Sequence, residues 1–275
     1  MVWGSGWNSA GGGGGGSTPT LPTLTLANNG LVTAEAAITS GTTNAKGSPI
    51  SLGNLTSAID RLDLRISGTS GRRFRFDLFS GASLIAADVP VNQNGPLVVQ
   101  MSLPIRIPAG ALTMQVAASV NNATIYALPY GYTSTPQQTA SLVEPIGTVN
   151  TAATAAGAVQ QGSTGIGVTN AAGSPVQIGS ALVNAIAGLL VHVDNDNDPS
   201  RTATRYTVEI GTGPNVGAIT WLPLPIMVES SGTGIPMERI APIFQAFPAG
   251  TIFWTRAQSV AATADMINVQ LHGIR

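Results

Sequence analysis

The chain has 275 residues, which exceeds the usual length of one domain and predicts two domains of ordinary size. Charged residues make up only 9 % of it, and its formal net charge is −1 at pH 7. A nucleic-acid-binding protein needs a basic surface, so that class is not expected. A surface with so few charges gives little electrostatic repulsion between copies of a protein, and it is tolerated mainly where neighbouring subunits cover it. This composition therefore indicates an assembly protein. A secreted protein with a well-hydrated Thr-, Ser- and Asn-rich surface is the alternative.

The N-terminal segment has an unusual composition. The first charged residue is Glu35, and residues 11–16 are consecutive glycines. Such a run cannot offset the entropy lost on ordering, so residues 1–21 are predicted to form a flexible arm. Trp3 and Trp7 precede the glycines and suggest an apolar plug that docks into a partner, with a disordered tail as the alternative.

Targeting and membrane segments are not expected. The N-terminus lacks the basic and apolar regions of a secretory signal, which predicts synthesis in a host cytoplasm, or export by a route with no cleaved leader. The longest apolar run, residues 185–193, is far shorter than a membrane helix, so no membrane insertion is expected. The chain has no cysteine, which excludes disulfides, thiolate metal sites and cysteine nucleophiles.

An internal duplication is the strongest pattern in the sequence. The segment TNAKGSPISLG, from Thr43 to Gly53, returns as TNAAGSPVQIG, from Thr169 to Gly179. Further blocks match in the same order, and IPAGALTMQVAAS aligns without gaps with FPAGTIFWTRAQS. We therefore predict two copies of one domain, at residues 22–135 and 136–275, each beginning with a lead-in strand.

The matched blocks have the pattern of half-buried β-strands. Apolar and polar residues alternate within them, and Gly, Pro, Asn and Ser bound them, whereas helical periodicity is nearly absent. The repeated Pro-Ala-Gly predicts a tight corner before a core strand, because glycine adopts conformations that other residues resist. The sequence thus predicts an all-β fold of two tandem, duplicated β-sandwich domains with jelly-roll-like topology.

Residues that could carry chemistry are few. His192 and His272 are the only histidines, and no Gly-x-Ser-x-Gly motif accompanies them, so a catalytic triad is not expected. Asp194, Asp196 and Asp198 form a DNDND loop whose oxygens suit Ca²⁺. That loop lacks the glycine and glutamate of an EF-hand, so a solvated hairpin is favoured over this weak candidate calcium site. We predict no enzyme activity and no cofactor.

Carbohydrate binding is the second functional hypothesis. Several carboxylates are present, among them Asp77, Asp88 and Glu209, but no spacing favours a glycosidase pair. Trp221 and Trp254 lie in apolar strand patterns, where core packing is favoured over sugar stacking. Recognition of glycans is therefore expected chiefly in the long loops of the second copy.

Several features together resemble the minor structural proteins of tailed bacteriophages and related gene-transfer particles. These are the tandem β-domains, the low charge, the lack of cysteine, and FPAGTIFWTRAQS ahead of the closing NVQLHGIR. The resemblance covers residues 22–275. It implies a virion protein of the capsid, neck, tail or baseplate, assembled as a symmetric oligomer with itself and neighbouring virion proteins. The alternative is a carbohydrate-binding module for glycans of the host cell surface.

Overall fold

The structure is a computed structural model that describes residues 23–27, 29–68, 72–93, 98–147, 162–165, 171–194, 205–223, 225–229, 238–260 and 266–275. Within these ranges the chain forms β-strands and a short 3₁₀ helix, Val216–Ala218. The strands are β1 Thr23–Leu26, β2 Ala36–Thr39, β3 Ile50–Leu55, β4 Arg61–Gly68, β5 Arg72–Ser80, β6 Ser83–Gln93, β7 Val99–Leu103, β8 Gly110–Ala118, β9 Thr124–Thr135, β10 Val143–Pro145, β11 Gly162–Gly165, β12 Val176–Ile178, β13 Gly188–Asp194, β14 Arg205–Thr212, β15 Thr220–Trp221, β16 Ile226–Glu229, β17 Glu238–Ile243, β18 Phe253–Ser259 and β19 Met266–Ile274.

Eight consecutive strands, β2 to β9, form the first sandwich. One sheet has the order β2-β9-β4-β7, and the facing sheet has the order β3-β8-β5-β6. This is a jelly-roll arrangement, in which neighbours in a sheet are mostly distant in the chain. Buried side chains from both sheets, among them Ile38, Leu64 and Phe76, form one hydrophobic cluster between them.

Strands β11 to β19 form the second sandwich and repeat this order. One sheet runs β11-β19-β13-β17, and the other runs β12-β18-β14, with β15 and β16 both paired to the outer edge of β14. A second cluster, which includes Tyr206, Phe253 and Leu271, lies between these sheets. The predicted all-β fold of tandem β-sandwiches is thus confirmed. The domain boundary at residue 135 stays a prediction, and the predicted arm, residues 1–21, lies outside the described residues.

The repeated motifs make the same contacts in both sandwiches. Gly47 donates its N–H to the carbonyl of Val116 at 2.9 Å, and Gly173 in the second copy donates to Ala257 at 2.8 Å. After each Pro-Ala pair the glycine has a positive φ, 135° at Gly110 and 85° at Gly250. Only glycine adopts such angles without strain, which accounts for the repeated corner.

The two copies differ in register beyond that corner. Met114 lies opposite Leu78 on β5, and Thr255 lies opposite the equivalent Ile210 on β14. The ungapped alignment instead matches Met114 with Trp254, so it is wrong over this strand. The second copy has one more residue between the corner and the strand, and a shift of one residue exchanges the two faces of a strand.

Candidate functional site at the junction of the sandwiches

Strand β10 joins the two sandwiches. It pairs antiparallel with β19 of the second sandwich, and parallel with β6 of the first through Val143 and Ala86. One sheet from each sandwich thereby becomes part of a continuous nine-stranded sheet. Backbone hydrogen bonding therefore continues from one sandwich into the other.

The backbone of Val143 is directed at β6. Its neighbour Leu142 exchanges hydrogen bonds of 2.8 and 2.9 Å with Arg275, and Ile146 donates its N–H to Leu271 at 2.8 Å. Alternate residues of an antiparallel strand direct their N–H and C=O groups away from the partner, so those of Val143 point outwards. The Val143 side chain is fully buried in the cluster of the first sandwich.

A charged cluster lies on the first sandwich beside this joint. Lys46 Nζ contacts Asp77 Oδ1 at 2.7 Å and Asp88 Oδ1 at 2.8 Å. The backbone N–H of Asp88 donates to the same Asp77 oxygen at 2.7 Å, and Gln115 Nε2 donates to Asp77 Oδ2 at 3.2 Å. Asp88 has a φ of 46°, which is unfavourable for a residue other than glycine. The cluster therefore stabilises a strained part of β6 that faces the second sandwich.

His272 contacts this part of β6 from the second sandwich. Its Nε2 lies 3.1 Å from the carbonyl oxygen of Asp88, and the residue is fully buried. Burial lowers the pKa of His272 from 6.5 to about 4 because the imidazolium would lose its hydration; the Asp88 carbonyl opposes the shift, and His192 adds to it. The imidazole is therefore neutral at pH 7, and its Nε2–H donates to Asp88.

His272 belongs to a row of polar side chains on the outer face of β13 and β19. The other members are His192, Asn268 and Gln270, and none of the row is more than 6 % exposed. The alternation of the sequence predicts a half-buried strand, but β19 is buried on both faces. The sequence could not reveal this, because polar and apolar residues still alternate along β19 although its polar face is also covered.

Strand β1 occupies in the first sandwich the place that β10 occupies in the second. Leu26 lies opposite Tyr132 near the end of β9, as Val143 lies opposite Ile274 at the end of β19. The outer edge of β1, however, pairs with no other strand in the described part of the chain. Leu24 and Leu26 are 41 % and 58 % exposed. Of these two equivalent strands, β10 is thus paired along both edges, whereas β1 is paired along one edge within the described residues.

The tryptophans of the second sandwich are engaged in packing and in a cation–π contact. Trp254 is buried and donates its Nε1–H to the carbonyl of Gly213 at 2.8 Å. The Arg256 guanidinium lies 4.1 Å from the centre of the Trp221 ring, and its Nε donates to Glu209 Oε2 at 2.6 Å. One face of Trp221 is covered by this cation, so that face is closed to a sugar.

An open depression of about 520 Å³ lies on the first sandwich, next to β2 and the start of β3. Its lining residues are Ala37, Thr39, Ser40, Gly41, Lys46, Gly47, Ser48 and Ile50. They offer hydroxyl groups and one ammonium group but no aromatic ring. The chemistry of this surface suits a small polar ligand better than an apolar one.

Most of the predicted site residues lie outside the described residues: Trp3, Trp7, Asp196 and Asp198. The docking arm and the weak calcium site therefore stay predictions. Asp194 ends β13, and its backbone lies opposite Glu238. The described ranges contain no group of three potential metal-ligating side chains. Nor do they contain a helix that is long and apolar enough to cross a membrane.

No protein-family model matches the chain, and no curated protein matches it. Among solved structures, it is similar to the CBM22-1–CBM22-2 tandem domain from Paenibacillus barcinonensis, with 8 % identity over 92 % of this chain and 91 % of that one, at a TM-score of 0.27. A chain of Sulfolobus Turreted Icosahedral Virus is 11 % identical over 92 % and 90 %, at 0.33. VP2 from an infectious bursal disease virus subviral particle is 13 % identical over 94 % and 74 %, at 0.23. These scores are low, and the function proposed below rests on the chain's own residues.

Proposed function

We propose that this chain is a structural protein of a virus particle, which assembles as a symmetric oligomer with itself and with neighbouring virion proteins. The nine-stranded sheet through β10 is the observation that carries the proposal, because it makes one building block of two jelly rolls. Jelly rolls form many viral capsid domains. Charged residues are only 9 % of the chain, which suits a surface that neighbouring subunits cover.

Exposed apolar side chains also support contacts with other subunits. Besides Leu24 and Leu26, the large exposed ones include Val183, Val216, Met227, Phe244 and Val260. Side chains of this kind become buried when subunits associate. The assignment to a tailed bacteriophage, and to its capsid, neck, tail or baseplate, is the finer part of the proposal. An anchoring role for Trp3 and Trp7 in the arm, residues 1–21, also belongs to this finer part of the proposal.

Incorporation into particles tests the proposal. The full-length chain and a version that lacks residues 1–21 are each supplied with a tag during particle production, and particles are then purified on a density gradient. We expect the full-length chain to co-sediment with particles at a constant copy number, and the shortened chain to fold but be left out. A folded full-length chain that is absent from particles would contradict the virion role. Incorporation of both chains would contradict the anchoring role of the arm.

A carbohydrate-binding module is the second candidate. Jelly rolls also include lectin domains, and the depression beside Lys46 presents several hydroxyl groups. On this hypothesis Ser48→Trp, which fills the depression, should abolish binding to a panel of host-surface glycans, whereas Val183→Trp should leave it unchanged. If the full-length chain binds none of the glycans, this candidate is wrong.

A further inference from the structure

The outer edge of β1 presents backbone groups that pair with no strand in the described part of the chain. Ala27 donates its N–H to the carbonyl of Gly131 on β9 at 2.8 Å, so alternate residues of β1, namely 23 and 25, also direct their N–H groups to β9. Leu24 and Leu26 direct theirs the other way, where no strand of the described chain pairs with them. Both side chains are exposed as well. An edge of this kind is a template for a further strand.

Within its described residues, Thr23–Leu26, this edge has no proline, no charged side chain and no bulge. Exposed edges are usually protected by a proline, a charged side chain, a bulge or a covering loop. The sequence of β1 is TLTL, and all of its residues are exposed. Pro22 comes directly before it, so the open edge begins at Thr23. An exposed apolar edge on a protein with few charges indicates a surface used for association.

The internal joint shows what such a strand can bind. Val143 holds the position in β10 that Leu26 holds in β1, and its outward backbone groups meet β6 beside Ala86. In each copy of the chain, however, this part of β6 is already paired with β10. A second copy could offer β1 an equivalent edge only on its second sandwich.

That equivalent edge is closed by proline. Ala86 lies opposite Leu78 on β5, and at the same place in the second sandwich Leu222 donates its N–H to the carbonyl of Ile210 at 2.8 Å. Because Leu222 is directed at β14, the next residue is the one whose backbone faces outwards. That residue is Pro223, which has no N–H. The joint between β10 and β6 therefore cannot be repeated between copies with the same hydrogen bonds.

We propose that β1 is a self-association edge, at which two copies of this chain pair their β1 strands antiparallel around a twofold axis through Thr25. In this register Leu24 of one copy exchanges both of its backbone hydrogen bonds with Leu26 of the other. The leucines then lie side by side on one face, where cross-strand apolar pairs stabilise a sheet. The sheets β7-β4-β9-β1 of the two copies continue into each other. The pairing rests on the proposed assembly role and identifies one of its contacts.

A cysteine substitution tests the register, because the chain has no cysteine of its own. Thr25 faces its counterpart as a non-hydrogen-bonded pair, whose Cα atoms lie about 4.5 Å apart, within reach of a disulfide. Thr25→Cys should therefore form a covalent dimer under mild oxidation, seen on a non-reducing gel. Val183→Cys is the matched control at a residue that is 87 % exposed, and it should stay monomeric. Equal cross-linking of the two variants overturns the proposed register.

Sedimentation velocity over a concentration series measures the reversible association of the full-length chain. We expect a dimer whose affinity falls roughly tenfold or more in Leu26→Lys, because the lysine then replaces the apolar partner of Leu24 and places a charge on the pairing edge. Val183→Lys adds the same charge to another exposed apolar residue and should leave the dimer unchanged. A wild-type chain that is monomeric at every concentration overturns the proposal, and so does a dimer that Leu26→Lys leaves intact.

Incorporation into particles separates failure of the pairing from failure of the virion role. If no β1 dimer forms and Leu26→Lys enters particles as the wild type does, the pairing is wrong and the virion role stands. If the dimer forms but the wild-type chain never enters particles, the pairing stands and the virion role is wrong. If Thr25→Cys cross-links to a different virion protein instead of a second copy, the self-association proposed here is wrong.

Discussion

Strands β1 and β10 are the same strand of the same fold in two different surroundings. Each pairs with the last strand of its own sandwich, and Leu26 and Val143 hold the same register position. The strand of Val143 pairs with β6 along its other edge, and the Val143 side chain is fully buried in the cluster of the first sandwich, whereas Leu26 is 58 % exposed. The difference shows that the lead-in strand alone does not join sandwiches. A joint also requires a second strand, such as β6, whose outward backbone N–H groups can pair with the lead-in strand. We call the edge of such a strand the receiving edge.

The two receiving edges differ accordingly. In the first sandwich β6 is one continuous strand, and Ala86 in it meets β10. In the second sandwich the equivalent strand is divided into β15 and β16, and Pro223 and Pro225 lie between them. Proline removes outward donors and ends strand pairing. Proline thus closes this edge to pairing with a further sandwich, whereas the outer edge of β1 is open within the described part of the chain.

Aspartate at the two equivalent positions should give the largest difference. Val143→Asp places a carboxylate without a partner in a buried cluster, so the free energy of unfolding should fall by about 3 to 5 kcal/mol. Leu26→Asp places the same group in water and should change it by less than about 0.5 kcal/mol. Urea unfolding followed by tryptophan fluorescence measures both variants. Equal losses would mean that the two strands do not differ in burial.

The junction should also make stability depend on pH. His272 has a pKa of about 4 in the folded chain against an ordinary value of 6.5, so the unfolded chain binds the proton first as the pH falls. This contribution to the free energy of unfolding is complete above pH 6.5 and is lost as the pH falls towards 4, by about 3 kcal/mol in all. The equivalent residue of the first sandwich is Tyr130, so no histidine lies there.

A glutamine variant isolates the contribution of His272. His272→Gln keeps a side-chain donor for the Asp88 carbonyl but binds no proton in this range. Urea unfolding of the wild type and the variant across the same pH range should show that the variant loses most of the slope. If the slope is unchanged, the pH dependence arises elsewhere, and His192 is the next residue to test.

The sandwiches also differ in the cation that pairs with the carboxylate at one equivalent position, Asp77 in the first and Glu209 in the second. Lys46 binds Asp77 in the first sandwich, whereas the second has Ala172 at the lysine position and pairs Glu209 with Arg256. Lys46→Met should lower the free energy of unfolding by about 2 kcal/mol, since the largely buried Asp77 loses its cation. In a double-mutant cycle, Asp77→Asn should recover part of that loss. Strictly additive losses would show that the two side chains do not interact.

The sequence predicts much of the fold but not the register of every strand. Alternation and the Pro-Ala-Gly corner predict the duplicated sandwich, because core-facing side chains recur at every second position of a strand. In β18 this guide fails, since Phe253, Trp254 and Thr255 are all buried. Consecutive buried residues do not show which side chains face the core. The one-residue shift between the copies therefore cannot be detected until the strand partners are known.

The junction could not be predicted for a different reason. The contact between β10 and β6 is made by backbone groups, which every residue carries, and β10 is only three residues long. The sequence predicts a lead-in strand for each copy, but nothing in it indicates that the second one also pairs with the first sandwich. The burial of His192 and His272 depends on the same long-range packing.

The smallest effect on stability is expected from opening the closed edge with Pro223→Ala. Alanine restores an outward N–H after Leu222, so the edge then resembles β6 beside Ala86. Loss of proline gives the unfolded chain more freedom, which should lower the free energy of unfolding by less than about 1 kcal/mol. Urea unfolding of the variant beside the wild type measures this change.

The same variant should change association much more than stability. In Pro223→Ala, β1 of one copy finds a receiving edge on the next copy, and head-to-tail contacts of this kind need not close into a ring. Sedimentation velocity should therefore show species larger than a dimer, and adding Leu26→Lys should remove them, because both kinds of contact use β1. If Pro223→Ala sediments as the wild type does, an outward N–H is not enough. The division between β15 and β16 then closes this edge, with Pro225 as the remaining block.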